Sequence, residues 1–548
     1  MNDKGIAPNA QRLLWAGFLA IFAAGIGLAI RGGLFAEWLR TFNFTALQVG
    51  LINGAGFTGF CFGIIIGGII VDKVGYGKLV VTAFLFHILS AFVTFGASAP
   101  PEGTAITAAQ TQSAFVFLWV GTFLFAVANG TLEAVANPLV ATLFPNNRMH
   151  YLNILHASWP AGLVFGALIA ASFPALSWKV KLGVFLIPTI IYGVMFMGQH
   201  FPKSEASQKG LSLGEMFKDV GIIGSLVIGF FIGFFVKDGL GPLLQGFTGN
   251  DFFVGTTWKY ISIGVGLVVW LAFSGLSGWS MGAGLLFMLF IAHALVGAVE
   301  LGTDSWIQNI TGNILTPQQG QMLFIFTSAL MLALRFCGHW IEKNLKLSPV
   351  GLLFVCALCA VAGLNMVSAI STFGGAMAAL VIYGIGKTFF WPTMLAVTSD
   401  RFPRTGAVAI SIMGGIGMMS AGLVGSPGLG YAKDRFAGAE LEKANAAIYA
   451  EYKSERPSQW LVFKEVRGID SAKLGAAQTA TNKTPDQQIV LKANMDGDRR
   501  TLKADSVIPM IMAAIYLGMI FYFKSRGGYK PVHIVETPAT ERKAEAAV

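Results

Sequence analysis

A carboxylate inside an apolar run is the first candidate for chemistry in this chain. Glu133 stands in the stretch from Gly130 to Gly162, with Asn129 one helical turn before it and Asn137 one turn after, so a helix puts all three on one stripe. An ionisable group at the centre of a bilayer costs roughly 2.5–3.5 kcal/mol on insertion scales, which makes function its default reading. Pro138 frees a backbone carbonyl beside that stripe. After a turn around Pro145-Asn146-Asn147, a second run presents Asn153, His156 and Pro160 at helical spacing, with Trp159 next to the proline. A histidine such as His156 suits either proton relay or a helix-to-helix hydrogen bond.

Other charges sit at corresponding places in the two halves of the chain. Aligning Pro138 with Pro392 sets Glu133 against Lys387, each five residues before its proline. A second alignment, of the turns described below, brings Arg31 within one residue of Glu300. Four buried and unpaired charges would be very costly, whereas pairing or a watery cavity lowers the cost. The simplest arrangement is one central cavity lined by Arg31, Glu133, Glu300 and Lys387, with net charge near zero. The alternatives are a static Glu133–Lys387 strut, and outer helix ends where Arg31 and Glu300 reach the interface. Tyr383, Lys387 and Trp391 share a face at spacing four, and Trp306 and Asn309 follow Glu300. Such amides, acids and indoles suit a sugar, although Trp also marks membrane interfaces. His87 and His293 read as packing, Asn365 as an interhelical hydrogen bond, and Arg335 as part of a turn motif.

Long helices must position these groups. The chain has 548 residues, of which 54% are hydrophobic and 12% charged; a soluble chain carries about 25% charged residues. With 45 Phe and 67 Gly, this composition indicates a polytopic membrane protein. The net charge of +10 comes from basic residues at the ends of apolar segments, with no Lys/Arg run that would suit nucleic acid. Cys356 and Cys359 form a C-x-x-C with nothing to complete a metal site, so the cysteines read as packing. No metal or cofactor is expected.

Spanning hydrocarbon takes about 20 apolar residues. Segments of that kind lie near 13–35, 46–71, 79–98, 114–143, 152–173 and 180–198, then 221–236 and 259–274, then 282–303, 319–337, 350–370, 375–397, 405–431 and 506–523. The expected class is an all-α polytopic membrane protein of about 14 transmembrane helices. Its expected units are an N-terminal six-helix half (1–198), a linker with two extra helices (199–280) and a C-terminal half (281–548). Lys and Arg collect in the short loops of one side, which predicts that both termini are cytoplasmic. The stretch 432–505 then lies outside, as a small helical excrescence or in partial disorder, and 524–548 forms a cytoplasmic tail. The first member of the extra pair reads as short.

The turn after the second segment reads Gly68-x-x-x-Asp72-Lys73-x-Gly75-Tyr76-Gly77-Lys78, and a weaker copy, Gly338-x-x-x-Glu342-Lys343, follows the second segment of the last six. This motif resembles the signature of the major facilitator superfamily. The resemblance implies two six-helix halves that rock about a central site, with the first and fourth helix of each half lining it. It also implies a cytoplasmic gate built from Gly68, Asp72, Lys73, Gly75, Lys78, Glu342 and Lys343, with Arg148 as a further partner. A narrower likeness is to the fucose permease branch of sugar:proton symporters. It rests on L-E-x-x-A-N-P at Leu132 to Pro138, then Leu152-Asn153 and His156, and implies a proton and substrate role for Glu133. The chain departs from that branch by carrying His where Gln is usual and Arg31 near the place of an acid in the first helix.

The expected function is therefore secondary active transport of a small polar solute, sugar-like, coupled to protons across the inner or plasma membrane, by a monomer. The alternative is a drug or organic-ion proton antiporter. No G-x-x-x-x-G-K-[ST] is present to bind ATP, and no H-E-x-x-H is present to suggest a metal-dependent hydrolase.

Overall fold

In hydrocarbon a backbone must satisfy its own N–H and C=O groups, and helices do so within one segment. The computed structural model describes residues 9–99, 105–144, 148–201, 213–345, 347–530 and 532. Apart from two isolated bridges, the described residues with regular structure are helical. Among the described residues, thirteen helices are long and apolar enough to cross a membrane. A fourteenth, Pro317–Leu345, is 29 residues long but is interrupted by Gln318, Gln319, Gln321 and Arg335.

The first half comprises α1 (Ala10–Phe42), α2 (Ala46–Val74), α3 (Tyr76–Phe95), α4 (Ala108–Leu143), α5 (Arg148–Ser172) and α6 (Trp178–Gly183 with Leu186–Phe196). Local chemistry sets the boundaries. Thr45 with Gln48 and Thr107 with Gln110 form capping boxes that start α2 and α4. Gly75, at φ +86°, closes α2 in a backbone conformation that L side chains rarely adopt.

The inserted pair is α7 (Gly221–Phe234, a π turn at Phe235–Leu240, then Gly241–Thr248) and α8 (Thr256–Leu276). The first member is longer than expected from 221–236. Lys237 and Asp238 form an ion pair of 3.0 Å inside the π turn, so the charges do not end the helix. Helix α7 lies between the halves: Phe235 packs on Phe62 and Phe123, and Gly224 faces Phe290. Trp258 and Trp270 of α8 donate to the Val236 and Ile222 carbonyls, and α8 leaves Leu267, Val268 and Leu271 exposed on its outer side.

The second half comprises α9 (Gly284–Gly297, a π turn at Ala298–Gly302, then Thr303–Ile314), α10 (Pro317–Leu345), α11 (Pro349–Ser368) and α12 (Phe373–Thr388 and Phe390–Arg401). It continues with α13 (Gly406–Ser420, a π turn at Ala421–Gly425, then Ser426–Ala444) and α14 (Pro485–Asp505 and Val507–Ser525). The halves meet along α2 and α13. A Cβ on Gly54 would stand 2.1 Å from the Gly422 carbonyl oxygen, so only glycine allows this approach. Asn53 donates to Ser426 at 3.0 Å across the same seam.

The stretch 432–505 is a helical cap. It extends α13, adds helices Ala446–Tyr452 and Ser471–Thr479, and returns through the first part of α14. Leu441, Ile448, Val490 and Ala493 give it a small core. The cap also grips the first half. The Asp434 carboxylate accepts from the backbone N–H of Leu47 at 3.2 Å, and Ser471 donates to the Phe44 carbonyl at 2.7 Å.

Candidate functional site

Two charged clusters face the interior, one in each half. The first is built on α1 and α4. Arg31 is 2% exposed. Its guanidinium carbon lies 4.0 Å from the centre of the Phe125 ring, and Nη1 donates to the Gly27 carbonyl at 3.0 Å. Nε and Nη2 are buried without a hydrogen-bond partner, and no ion pair reaches Arg31 among the described residues. Beside it, the Asn129 Oδ1 and the Tyr192 hydroxyl each lie 2.8 Å from a ring nitrogen of His87. Arg31, Asn53, Thr122, Asn129 and Trp159 border a void of about 380 Å³, open edge included, whose free centre is only water-sized.

The second cluster is built by irregular backbone. The π turn of α9 carries Glu300, and Asp304 follows one turn later. A single extra residue per turn re-aims side chains, and such turns recur at functional sites. Helix α12 breaks at Phe389, leaving Lys387 at the end of one piece. Lys387 Nζ lies 2.5 Å from both Asp304 oxygens and is 1% exposed. The Glu300 carboxylate lies near this break, and its Oε2 is buried without a partner. Tyr383 donates to the Val299 carbonyl at 2.9 Å, bracing α12 on the π turn.

Arg335 of α10 connects this cluster to the first half. It lies in electrostatic range of Glu300 and Asp304 from α9 and of Glu133 from α4, and His156 of α5 feels its charge. Glu133 itself is partly buried and engaged. Arg335 is thus part of a charged interior cluster; the side chains of the turn motif that follows it lie outside the described residues.

Lys387 is bound to Asp304 instead of Glu133, because Asp304 shares a helix face with Glu300 and α12 packs on that face. Arg31 and Glu300 make no pair. Among the four charges expected around one cavity, only Arg31 borders the void. Trp306 is a strut: its Nε1 donates to the Ser426 carbonyl at 3.0 Å, with Phe35 at 5.1 Å between ring centres. Trp391 packs on His293 at 4.5 Å. Asn309 lies 3.5 Å from Asn313, which donates to Asp498 of the cap at 2.8 Å. Asn365 donates to Val361 of its own helix, at 2.9 Å, and makes no bond across helices among the described residues. The side chains of Asp72, Lys73, Asn137, Arg148, Asn153, Glu342 and Lys343 lie outside the described residues. Gly68 faces Ser411 of α13, and Lys78 is exposed.

Three participants were missed from the sequence. Asp304 could have been found by its spacing of four from Glu300. Arg335 could have been found as a lone cation within an apolar helix. His87 carried no signal, since its partners Asn129 and Tyr192 come from helices distant in sequence.

Similarity to known proteins agrees with this architecture. Over 140 residues, 26% of the chain, it is 30% identical to the L-fucose-proton symporter of Escherichia coli (strain K12). The match spans 28% of that symporter's length. Among solved structures, a bacterial homolog of the human lysosomal transporter Spinster, in an inward-facing and occupied conformation, superposes with a TM-score of 0.60 at 17% identity. That superposition covers 96% of this chain and 100% of the other. A D-xylose-proton symporter gives 0.51 at 12% identity over 76% of this chain and 89% of its own. A nucleoside transporter gives 0.54 at 11% identity over 94% and 99%. At these identities the likeness is one of fold. The family model of the Major Facilitator Superfamily matches residues 17–426, and the chain belongs to that superfamily of multi-pass membrane transporters.

Proposed function

We propose that this chain moves a small polar solute, sugar-like, together with protons by alternating access. The observation that carries the reading is Arg335, one buried guanidinium in electrostatic range of carboxylates from both halves. When two halves rock about a central site, the distance from Arg335 to Glu133 changes, while Glu300 stays in the same half as Arg335. A buried carboxylate that loses its cation becomes costly in charged form and takes up a proton. Glu300 Oε2, buried and unpartnered, is a place where a proton fits. The partial identity with an L-fucose-proton symporter supports a sugar-like solute and proton coupling. The same reading keeps both termini cytoplasmic, the chain monomeric, and the turn at Gly68, Gly75 and Lys78 at the inner gate.

The test is uptake of labelled sugars by proteoliposomes under an imposed pH gradient, comparing wild type with Glu133→Gln and Glu300→Gln. The expected result is accumulation by wild type, with accumulation lost and solute exchange retained in at least one variant. Equal gradient-driven accumulation by all three proteins would overturn the proton role of both carboxylates.

A further inference from the structure

Among the described residues, no counter-ion answers the charge of the buried Arg31 guanidinium. We propose that the void beside it is the seat of a carboxylate, so that the transported solute is a polyhydroxylated organic acid of sugar size. This rests on the transport reading above and narrows its solute class. The geometry is specific. Nη1 is used by the Gly27 carbonyl, and the ring face lies on Phe125. The two unpartnered nitrogens, Nε and Nη2, form one edge of the planar guanidinium. That edge presents two parallel N–H groups and matches the two oxygens of a carboxylate. Held by Phe125 and Gly27, the fork is pre-organised.

The surroundings suit the remainder of such a molecule. The Thr122 hydroxyl is buried without a partner and borders the same void, and Asn53 and Asn129 add amides. Trp159 and Phe57 supply faces for the C–H side of a sugar ring. The void is too narrow to hold a sugar acid as it stands, so the solute would enter as α4 and α5 part from α13, whose Met418 closes one side. Of the other cations in the charged interior, Lys387 is taken by Asp304, and Arg335 lies in electrostatic range of Glu300, Glu133 and Asp304. A neutral sugar would leave Arg31 buried and uncompensated through the cycle; a carboxylate would neutralise it.

The test uses the full chain in lipid nanodiscs, with D-glucuronate, D-gluconate and D-glucose as probes. Binding is read by calorimetry for wild type, Arg31→Gln and Arg31→Lys. The expected result is that a carboxylate binds wild type at least tenfold more tightly than Arg31→Gln, with Arg31→Lys between them and D-glucose indifferent to all three. Carboxylate binding that is absent, or equal in wild type and Arg31→Gln, overturns the proposal. Proteoliposomes separate the two failures. Proton-driven movement of neutral sugar at the same rate by wild type and Arg31→Gln leaves the transport reading standing and removes the carboxylate. Proton-driven movement of neither sugar nor acid removes both.

Discussion

The two halves treat buried charge in opposite ways. In the second half, Lys387 is locked to both oxygens of Asp304, and Tyr383 pins the backbone beside them. In the first half, Arg31 is equally buried but rests on an aromatic ring with half of its guanidinium unanswered. A buried ion pair that is satisfied holds helices in place. A buried cation left open to a void is either a defect or half of a binding site. The two clusters occupy corresponding helices, α1 with α4 and α9 with α12. The repeat therefore supplies one half with a structural pair and leaves the other with an unpaired donor fork.

This contrast makes predictions of decreasing size. Lys387→Met should be the most damaging, lowering stability by about 3–5 kcal/mol in thermal unfolding, because it strands a buried Asp304. The double variant Lys387→Met/Asp304→Leu should recover at least half of that loss, and failure to recover would mean the pair is not the structural element. Asn129→Leu should cost about 1–3 kcal/mol by leaving His87 short of a partner, as read by the same unfolding assay. Arg335→Gln should fold but lower gradient-driven uptake about tenfold, equivalent to ~1.4 kcal/mol, since one shared cation is removed from three carboxylates. Arg31→Gln should change stability least, within about 0.5 kcal/mol or with a gain, because it orphans no counter-ion. A loss as large as that of Lys387→Met would show that Arg31 has a structural partner and would erase the contrast.

Much of the fold was legible because hydrocarbon imposes one solution on long apolar runs. The six-two-six plan falls where the helices are, and the capping residues Thr45 and Thr107 mark their starts. The length of α7 was missed because Lys237-Asp238 looks like a helix end. Two opposite charges that satisfy one another inside a π turn cancel that signal. The cap was half legible: its polar composition is compatible with disorder, and only the joining of Leu441, Ile448 and Val490 into a core orders it.

The site was read in its parts and not in its connections. Glu133, Glu300, Lys387 and Arg31 all lie inside the protein, as the cost of a charge in an apolar run demands. The repeat relates Glu133 to Lys387 as positions in the sequence, and correspondence between halves says nothing about proximity. Which acid meets which base depends on how α9 bulges at Ala298–Gly302, where α12 breaks, and how far Arg335 reaches across from α10. Composition and periodicity suffice for a membrane-spanning helical bundle with charges turned inward, because burial energy acts on each residue separately. Partner choice depends on distances of a few ångströms between segments hundreds of residues apart, and those distances exist only once the helices have packed.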